Sequence, residues 1–233
     1  MIQQVLIPLV MIIMTVGIYL IMSRIYSRFS WPFLLPVLTT TILMVVLLIG
    51  AHISYDTYMK GGKWINFLLR PSVVALAYPL YKQRFVLKKY MVPILVGVSV
   101  GMMTGMLSGL FFGRFFHFDR SLVLSMLPKS FTMPVAIQIT ASIGGISSMT
   151  IICVMVAGLT GAIVGPVILK WLRIKSVLGK GIALGSASHV LGITKASEFG
   201  ELAVSIGSVA MILSALLGSI VAPYITMFFH ICL

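Results

Sequence analysis

The sequence predicts an all-α, polytopic membrane protein with about six to eight membrane segments, two of them broken or re-entrant elements in an inverted repeat. Three observations predict it. Hydrophobic residues make up 60% of the 233 and charged residues 9%, with a mean hydropathy of +1.13, far from the balance of soluble domains. The apolar residues gather into runs long enough to cross a bilayer as helix, which takes about 20 residues. Two further stretches are apolar but interrupted by proline, glycine and polar side chains, a pattern tolerated at membrane depth only where backbone is enclosed by protein or lines a cavity.

The elements follow in order. Residues 5–22 form the first run. No basic segment precedes it, Arg24 and Arg28 follow it, and no small-residue cleavage pattern closes it, so it reads as a span rather than a signal peptide. A second span covers about 32–53, with Trp31 as an interfacial anchor and Tyr55, Tyr58 and Trp64 at the opposite interface. A shorter element, 66–81, is interrupted at Arg70-Pro71. The run 91–112 is free of charge and rich in small residues (Gly97, Ser99, Gly101, Thr104, Gly105, Ser108, Gly109), which lets neighbouring helices approach closely. The first broken element comes next, then the span 149–169 with Gly158, Gly161 and Gly165, the second broken element 181–194, and a last span 202–229. Two parts are expected: 1–90 as scaffold or oligomerisation segments, and 91–233 as an inverted-repeat transport core.

Lys129 is the only formally charged side chain between Ser121 and Leu169, and it stands between Pro128 and Pro134. A lysine is expensive in hydrocarbon, and prolines forbid an unbroken helix around it. The segment therefore reads as a break lining an enclosed path, where half-helix N-termini and a positive side chain meet an anion near the midplane. A shallow hairpin with Lys129 snorkelling to an interface is the alternative. The second break carries Gly185, Ser186, Ser188, His189 and Gly192. A shift of 57 positions lays Gly101 on Gly158 and Leu127-Pro128 on Leu184-Gly185, which sets Ser130 and Thr132 opposite Ser186, Ser188 and His189.

Charge in the loops favours re-entrant breaks. With the N-terminus outside and both breaks returning to the side they came from, Arg24, Arg28, Lys82, Arg84, Lys88, Lys89, Lys170, Arg173 and Lys175 all fall in the cytoplasm. Lys60, Lys63, Arg114 and Arg120 then fall outside. The net charge of +13 thus reports topology and contact with anionic membrane lipids, not nucleic-acid binding.

Asp56, Asp119, Glu198 and Glu201 are too few for a carboxylate-rich cation site, and Cys153 and Cys232 lie in apolar runs without zinc-ligand spacing. No metal and no cofactor are expected. Without a glycine-rich phosphate loop, a nucleophile with an ordered base or paired carboxylates, no enzyme is expected either.

The second break, Gly181-Ile182-Ala183-Leu184-Gly185-Ser186-Ala187-Ser188-His189-Val190-Leu191-Gly192-Ile193-Thr194-Lys195-Ala196, resembles the signature of the LrgB/CidB family of holin- and antiholin-like membrane proteins. Tyr58-Met59-Lys60-Gly61-Gly62-Lys63-Trp64-Ile65-Asn66 and Val74-Ala75-Leu76-Ala77-Tyr78-Pro79-Leu80-Tyr81-Lys82 resemble its CidB branch, while Arg70 departs from the small or neutral residue expected there. The resemblance implies a multi-pass protein of the bacterial cell membrane. It also implies control of murein hydrolase activity and cell lysis beside a small LrgA/CidA-type partner. Plastid relatives resemble glycolate/glycerate translocators, and some bacterial pairs resemble pyruvate facilitators. A carrier or facilitator for small monocarboxylates of the pyruvate, lactate or glycolate type fits the polar breaks better than a hole-forming holin, which needs only short helices that assemble. A holin/antiholin-like component acting by assembly and permeabilisation stays the alternative, and a homodimer is the default assembly.

In the carrier reading Lys129, Ser130, Thr132, Ser186, Ser188 and His189 contact the small carboxylate anion, and His189, whose side chain titrates near about pH 6.5 when unperturbed, couples transport to protons. The hydroxyls could instead satisfy freed backbone groups, and His189 could be a packing residue. Glu198 and Glu201 are either a proton relay or, more simply, a helix cap and a partner for Lys195. Pro128, Pro134, Gly185 and Gly192 are the expected structural breaks. His52, His117 and His230 fall at span ends as interfacial groups.

Overall fold

The computed structural model describes residues 2–29, 34, 36–68, 71, 74–75 and 77–231; Trp31, Arg70 and Cys232 lie outside the described residues, as does the side chain of His230. Among the described residues regular structure is entirely helical, and the chain divides into two compact units, Met1–Ser72 and Val73–Leu233.

The first unit holds α1 (Ile2–Phe29), α2 (Pro36–Gly50) and α3 (Tyr55–Phe67). The segment Leu6–Phe29 of α1 is long and apolar enough to cross a membrane. Ser54 caps α3 by accepting the Thr57 N–H at 3.3 Å. Gly61 lets α3 press against α1, because a methyl group there would lie 2.8 Å from Met11 Cβ. His52 closes α2 in the left-handed region, φ 51°.

The second unit contains α4 (Ala77–Lys82), α5 (Arg84–Lys89), α6 (Met91–Phe115), α7 (Arg120–Met126), α8 (Met133–Ile143), α9 (Ser147–Trp171), α10 (Val177–Ala196), a 3-10 turn (Ser197–Phe199) and α11 (Glu201–Ile231). Three of these, α6, α9 and the Glu201–Met227 part of α11, are long and apolar enough to span. At 25 residues, α6 is about 37 Å long, ample for a hydrocarbon core of about 30 Å. Residues before α6 belong with this unit: the Ser205 hydroxyl donates to Gln83 Oε1, and Leu80, Val86, Leu87 and Tyr90 pack on a core of Ile94, Val98, Ile182 and Ile206.

One face of α6 orders everything else. A methyl group at Gly97 would lie 2.9 Å from Ile182, at Gly101 3.1 Å from Ser186 Oγ, at Gly105 2.9 Å from Ser130 Oγ, at Gly109 3.3 Å from Lys129 Nζ, and at Gly113 2.6 Å from Val123. These glycines recur every fourth residue, so they line one stripe. Along it, the start of α6 meets the descending arm of the second broken element and the end of α6 meets the first broken element. The two tips come together between Gly101 and Gly105, about 6 Å of helix at the middle of the span.

Both broken elements return to the side they came from. In the first, α7 runs back along α6, the chain turns through Leu127–Thr132, and α8 leads out to Ile146, whose N–H donates to Ser125 Oγ at 2.7 Å. In the second, the chain turns at His189 (φ 43°, ψ −133°). Gly192 then packs on the Leu184 carbonyl, and the Phe199 ring lies 4.5 Å from the Lys180 ammonium. The expected re-entrant elements are therefore two hairpins entering from opposite ends of α6. Lys82, Arg84, Lys88, Lys89, Lys170, Arg173, Lys175, Lys180 and Lys195 gather at the end where the second hairpin enters, which the positive-inside rule assigns to the cytoplasm.

The breaks differ in detail from the expectation. Pro134 occupies the first turn of α8, where a missing N–H is harmless, so it starts a helix rather than breaking one. Gly185 and Gly192 lie within helical backbone on either side of the true turn at His189. They are glycines because backbone passes against them, the Gly207 backbone at Gly185 and the Leu184 carbonyl at Gly192.

Candidate functional site

The first hairpin brings a cation inside the bundle, beside Ser108 and Gly109 of α6. Pro128 and the turn after it hold Lys129 half-buried between α6 and α9, where its ammonium donates to Ser108 Oγ at 3.1 Å. Cys153 of α9 lies within electrostatic reach. Among the described residues the one ion pair is Lys195–Glu198, so no carboxylate of those residues neutralises Lys129. The N-terminus of α8 begins three residues later, at Thr132, with the positive end of its dipole at the hairpin tip. Thr132 stands at the capping position in extended backbone, φ −62° and ψ 139°, yet its side chain does not cap the helix. Its hydroxyl is buried without a hydrogen-bond partner.

The second hairpin supplies the facing wall. Ser186 donates to the Ile182 carbonyl at 2.7 Å, satisfying its own helix. Ser188 packs against Gly161. The His189 ring fits over Gly158, with Nε2 3.1 Å from the Val154 carbonyl oxygen. His189 is thus docked on α9 by one nitrogen.

On α6, Ser186 packs at Gly101, Ser130 at Gly105 and Lys129 at Gly109, in successive turns, while Ser188 and His189 pack on Gly161 and Gly158 of α9. The structure leaves Glu198 and Glu201 apart from them: Glu198 pairs with Lys195 at 2.8 Å in the turn that ends the second hairpin, and Glu201 opens α11, exposed.

Two residues near the tips carried no signal in the sequence. Ser108 is one of several small residues on α6, and only the fold shows that it accepts the Lys129 hydrogen bond. Ser214 lies on α11, 1% exposed, with an unpartnered hydroxyl. Gly207, Ser214 and Gly218 share one face of α11 by helical phase. Gly207 packs against the second hairpin and Gly218 against Phe131 at the first tip, so Ser214 faces the interval between them.

The chain matches the LrgB-like family over residues 15–228. It is a member of that family. The LrgB-like chain is 59% identical over 229 residues to a Bacillus subtilis (strain 168) protein called uncharacterized protein YxaC, covering 98% of this chain and 100% of the relative. It is 35% identical over 222 residues to the holin-like protein CidB of Staphylococcus aureus (strain Mu50 / ATCC 700699), covering 95% and 97%, and 34% identical to uncharacterized protein YwbG of Bacillus subtilis (strain 168), covering 95% and 99%. No solved structure matches it. As an LrgB-like protein with four helices long and apolar enough to cross a membrane among the described residues, it is a multi-pass bacterial membrane protein.

Proposed function

We propose that this LrgB-like chain is a carrier or facilitator for small monocarboxylates, with the anion passing between the two hairpin tips. One observation carries the reading: an unneutralised Lys129 stands in the turn that leads into the N-terminus of α8, where the Thr132 hydroxyl is buried without a hydrogen-bond partner. A positive side chain and a helix N-terminus favour an anion, and a hydroxyl without a local partner supplies a directed hydrogen bond to it. Ser130, Ser186 and Ser188 line the approach, and His189 couples the second hairpin to α9 and offers a group that takes up a proton. Residues 91–233, with 77–90 packed on them, form the transport core, the first unit is the scaffold through which a homodimer assembles, and a small LrgA/CidA-type protein is the membrane partner. Control of murein hydrolases and lysis is then a consequence of carboxylate flux.

The name of the CidB relatives favours a second reading, a holin-like component that permeabilises the membrane by assembly. Purified protein in liposomes separates the two. A carrier takes up labelled pyruvate, lactate or glycolate, with or without the small partner, and retains a trapped bulky dye. A lesion-former releases the dye and shows no preference among small solutes.

A further inference from the structure

We infer that the groove between α4, α8 and α11 holds an acyl chain of one anionic phospholipid of the cytoplasmic leaflet, whose phosphate is bound by Arg84 and Lys88. The inference does not depend on the carrier reading.

Val74, Ala77 and Leu80 line a cavity of about 280 Å³ together with Val135 of α8 and Ile212 and Leu216 of α11. Its two polar liners leave it apolar in character: the Ser219 hydroxyl is spent on the Leu216 carbonyl at 2.7 Å, and the Gln138 amide stands at the end of a flexible, exposed side chain. A helix about 10 Å across would fill 280 Å³ with less than one turn. The space therefore suits a flexible hydrocarbon chain.

The lined face of α4 runs on into cations. Gln83, at φ −89° and ψ 10°, keeps the backbone close to helical between α4 and α5, so Ala77, Leu80, Arg84 and Lys88 follow one face. The Arg84 guanidinium is held ready, 4.5 Å from the centre of the Tyr81 ring and 4.6 Å from that of Phe85, and it donates to the Tyr81 carbonyl at 3.3 Å. Both rings are exposed, as aromatic side chains are at a bilayer interface. Among the described residues none of Lys82, Arg84, Lys88 and Lys89 makes an ion pair; on the same side Glu198 is taken by Lys195, and Glu201 pairs with none of the four. A planar guanidinium beside an unpaired ammonium matches a phosphate.

The lengths agree. The Ser205–Gln83 hydrogen bond sets the level of these cations on α11, and from there Ile212 and Ser219 lie about 10 and 21 Å along the helix. Half a bilayer with its headgroups is about 20 to 22 Å thick, so a lipid with its phosphate at Arg84 carries its chain along the groove. That chain backs α8, whose Val135 follows Thr132 by three residues, and so braces the hairpin that carries Lys129.

The test is thermal unfolding of the purified full-length protein in detergent, titrated with phosphatidylglycerol, with phosphatidylcholine of the same chains, or with glycerol 3-phosphate. Phosphatidylglycerol should protect at the lowest concentration and glycerol 3-phosphate should not protect. Arg84→Gln with Lys88→Gln should raise the phosphatidylglycerol concentration needed about tenfold, towards that of phosphatidylcholine. Lys170→Gln with Lys175→Gln, which removes the same charge from the same face away from the groove, should change it little. Ala77→Phe, which fills the groove from an exposed position, should fold and lose protection by both lipids. Equal protection of wild type by the two lipids, an equal loss in the two double variants, or full protection of Ala77→Phe would overturn the assignment. So would a change of oligomeric size in Ala77→Phe, which would give the groove to a protein chain, or protection by glycerol 3-phosphate, which would leave a phosphate site without a lipid.

Discussion

The first hairpin is held by hydroxyls, the second by glycines and one backbone turn. In the first, the Ser125 hydroxyl donates to the Ser121 carbonyl at 2.6 Å and accepts the Ile146 N–H at 2.7 Å, while Thr150 donates to the Ser125 carbonyl at 3.0 Å and meets Thr140 at 2.7 Å. This knot fastens both arms to the start of α9. In the second, Gly181 and Gly185 admit the backbone of α11 and Gly192 admits the opposite arm. His189, at φ 43°, makes the turn in a conformation that side chains other than glycine's rarely adopt. A fully satisfied polar knot fixes one geometry. The second hairpin instead depends on backbone packed against backbone around a strained turn, so it tolerates no added side-chain volume.

The largest effect expected is at Lys129. Lys129→Ala should abolish carboxylate uptake in a protein that still inserts, because loss of a charge partner weakens a bound anion by about 2 to 5 kcal/mol, and Lys129→Arg should keep part of the activity. Wild-type uptake by the alanine variant would remove the cation from the account. Stability should respond most in the glycine-packed hairpin. Gly185→Ala drives a methyl group into the Gly207 backbone, which cannot swing aside, and should lower stability by about 1 to 3 kcal/mol as overpacking does. Gly17→Ala, with nothing within 4 Å, is the control and should leave the unfolding temperature in detergent unchanged.

A smaller change belongs to the knot. Thr150→Val leaves the Thr140 hydroxyl and the Ser125 carbonyl without this partner and should cost about 1 to 2 kcal/mol of stability. If Thr150→Val were silent while Gly185→Ala was severe, the polar knot would not be what fixes the first hairpin. The subtlest expected effect is at His189. His189→Gln retains a donor for the Val154 carbonyl, so uptake should persist but lose its dependence on pH. An unchanged pH profile would leave His189 as a hinge and nothing more.

Four of the spans and the existence of two breaks were legible in the sequence, because hydropathy and a proline-flanked lysine act locally; the expected second span, 32–53, holds among the described residues only the 15-residue helix α2, Pro36–Gly50. Lys129 declared itself by being alone in a long uncharged stretch. The turn at His189 did not: the surrounding glycines looked like the break, and only the return of Gly192 onto Leu184 shows that they serve close approach instead. Ser214 was illegible for a related reason. Whether a helical serine bonds its own backbone or turns away from it is decided by its tertiary surroundings, which the local sequence does not carry.

The central claim, that two hairpins enter from opposite faces and meet at mid-span, is tested most directly by accessibility. Single cysteines are placed at Asp119, Ser148, Lys82, Lys175 and Glu201 in a background with Cys153 and Cys232 replaced by serine, and labelled from each side of sealed cells with a membrane-impermeant reagent. Positions 119 and 148, which flank the first hairpin, should label from the outside. Positions 175 and 201, which flank the second, should label from the cytoplasm together with 82. Finding 119 and 148 on opposite faces, or 175 and 201 on opposite faces, would mean that one element crosses the membrane and would contradict the account.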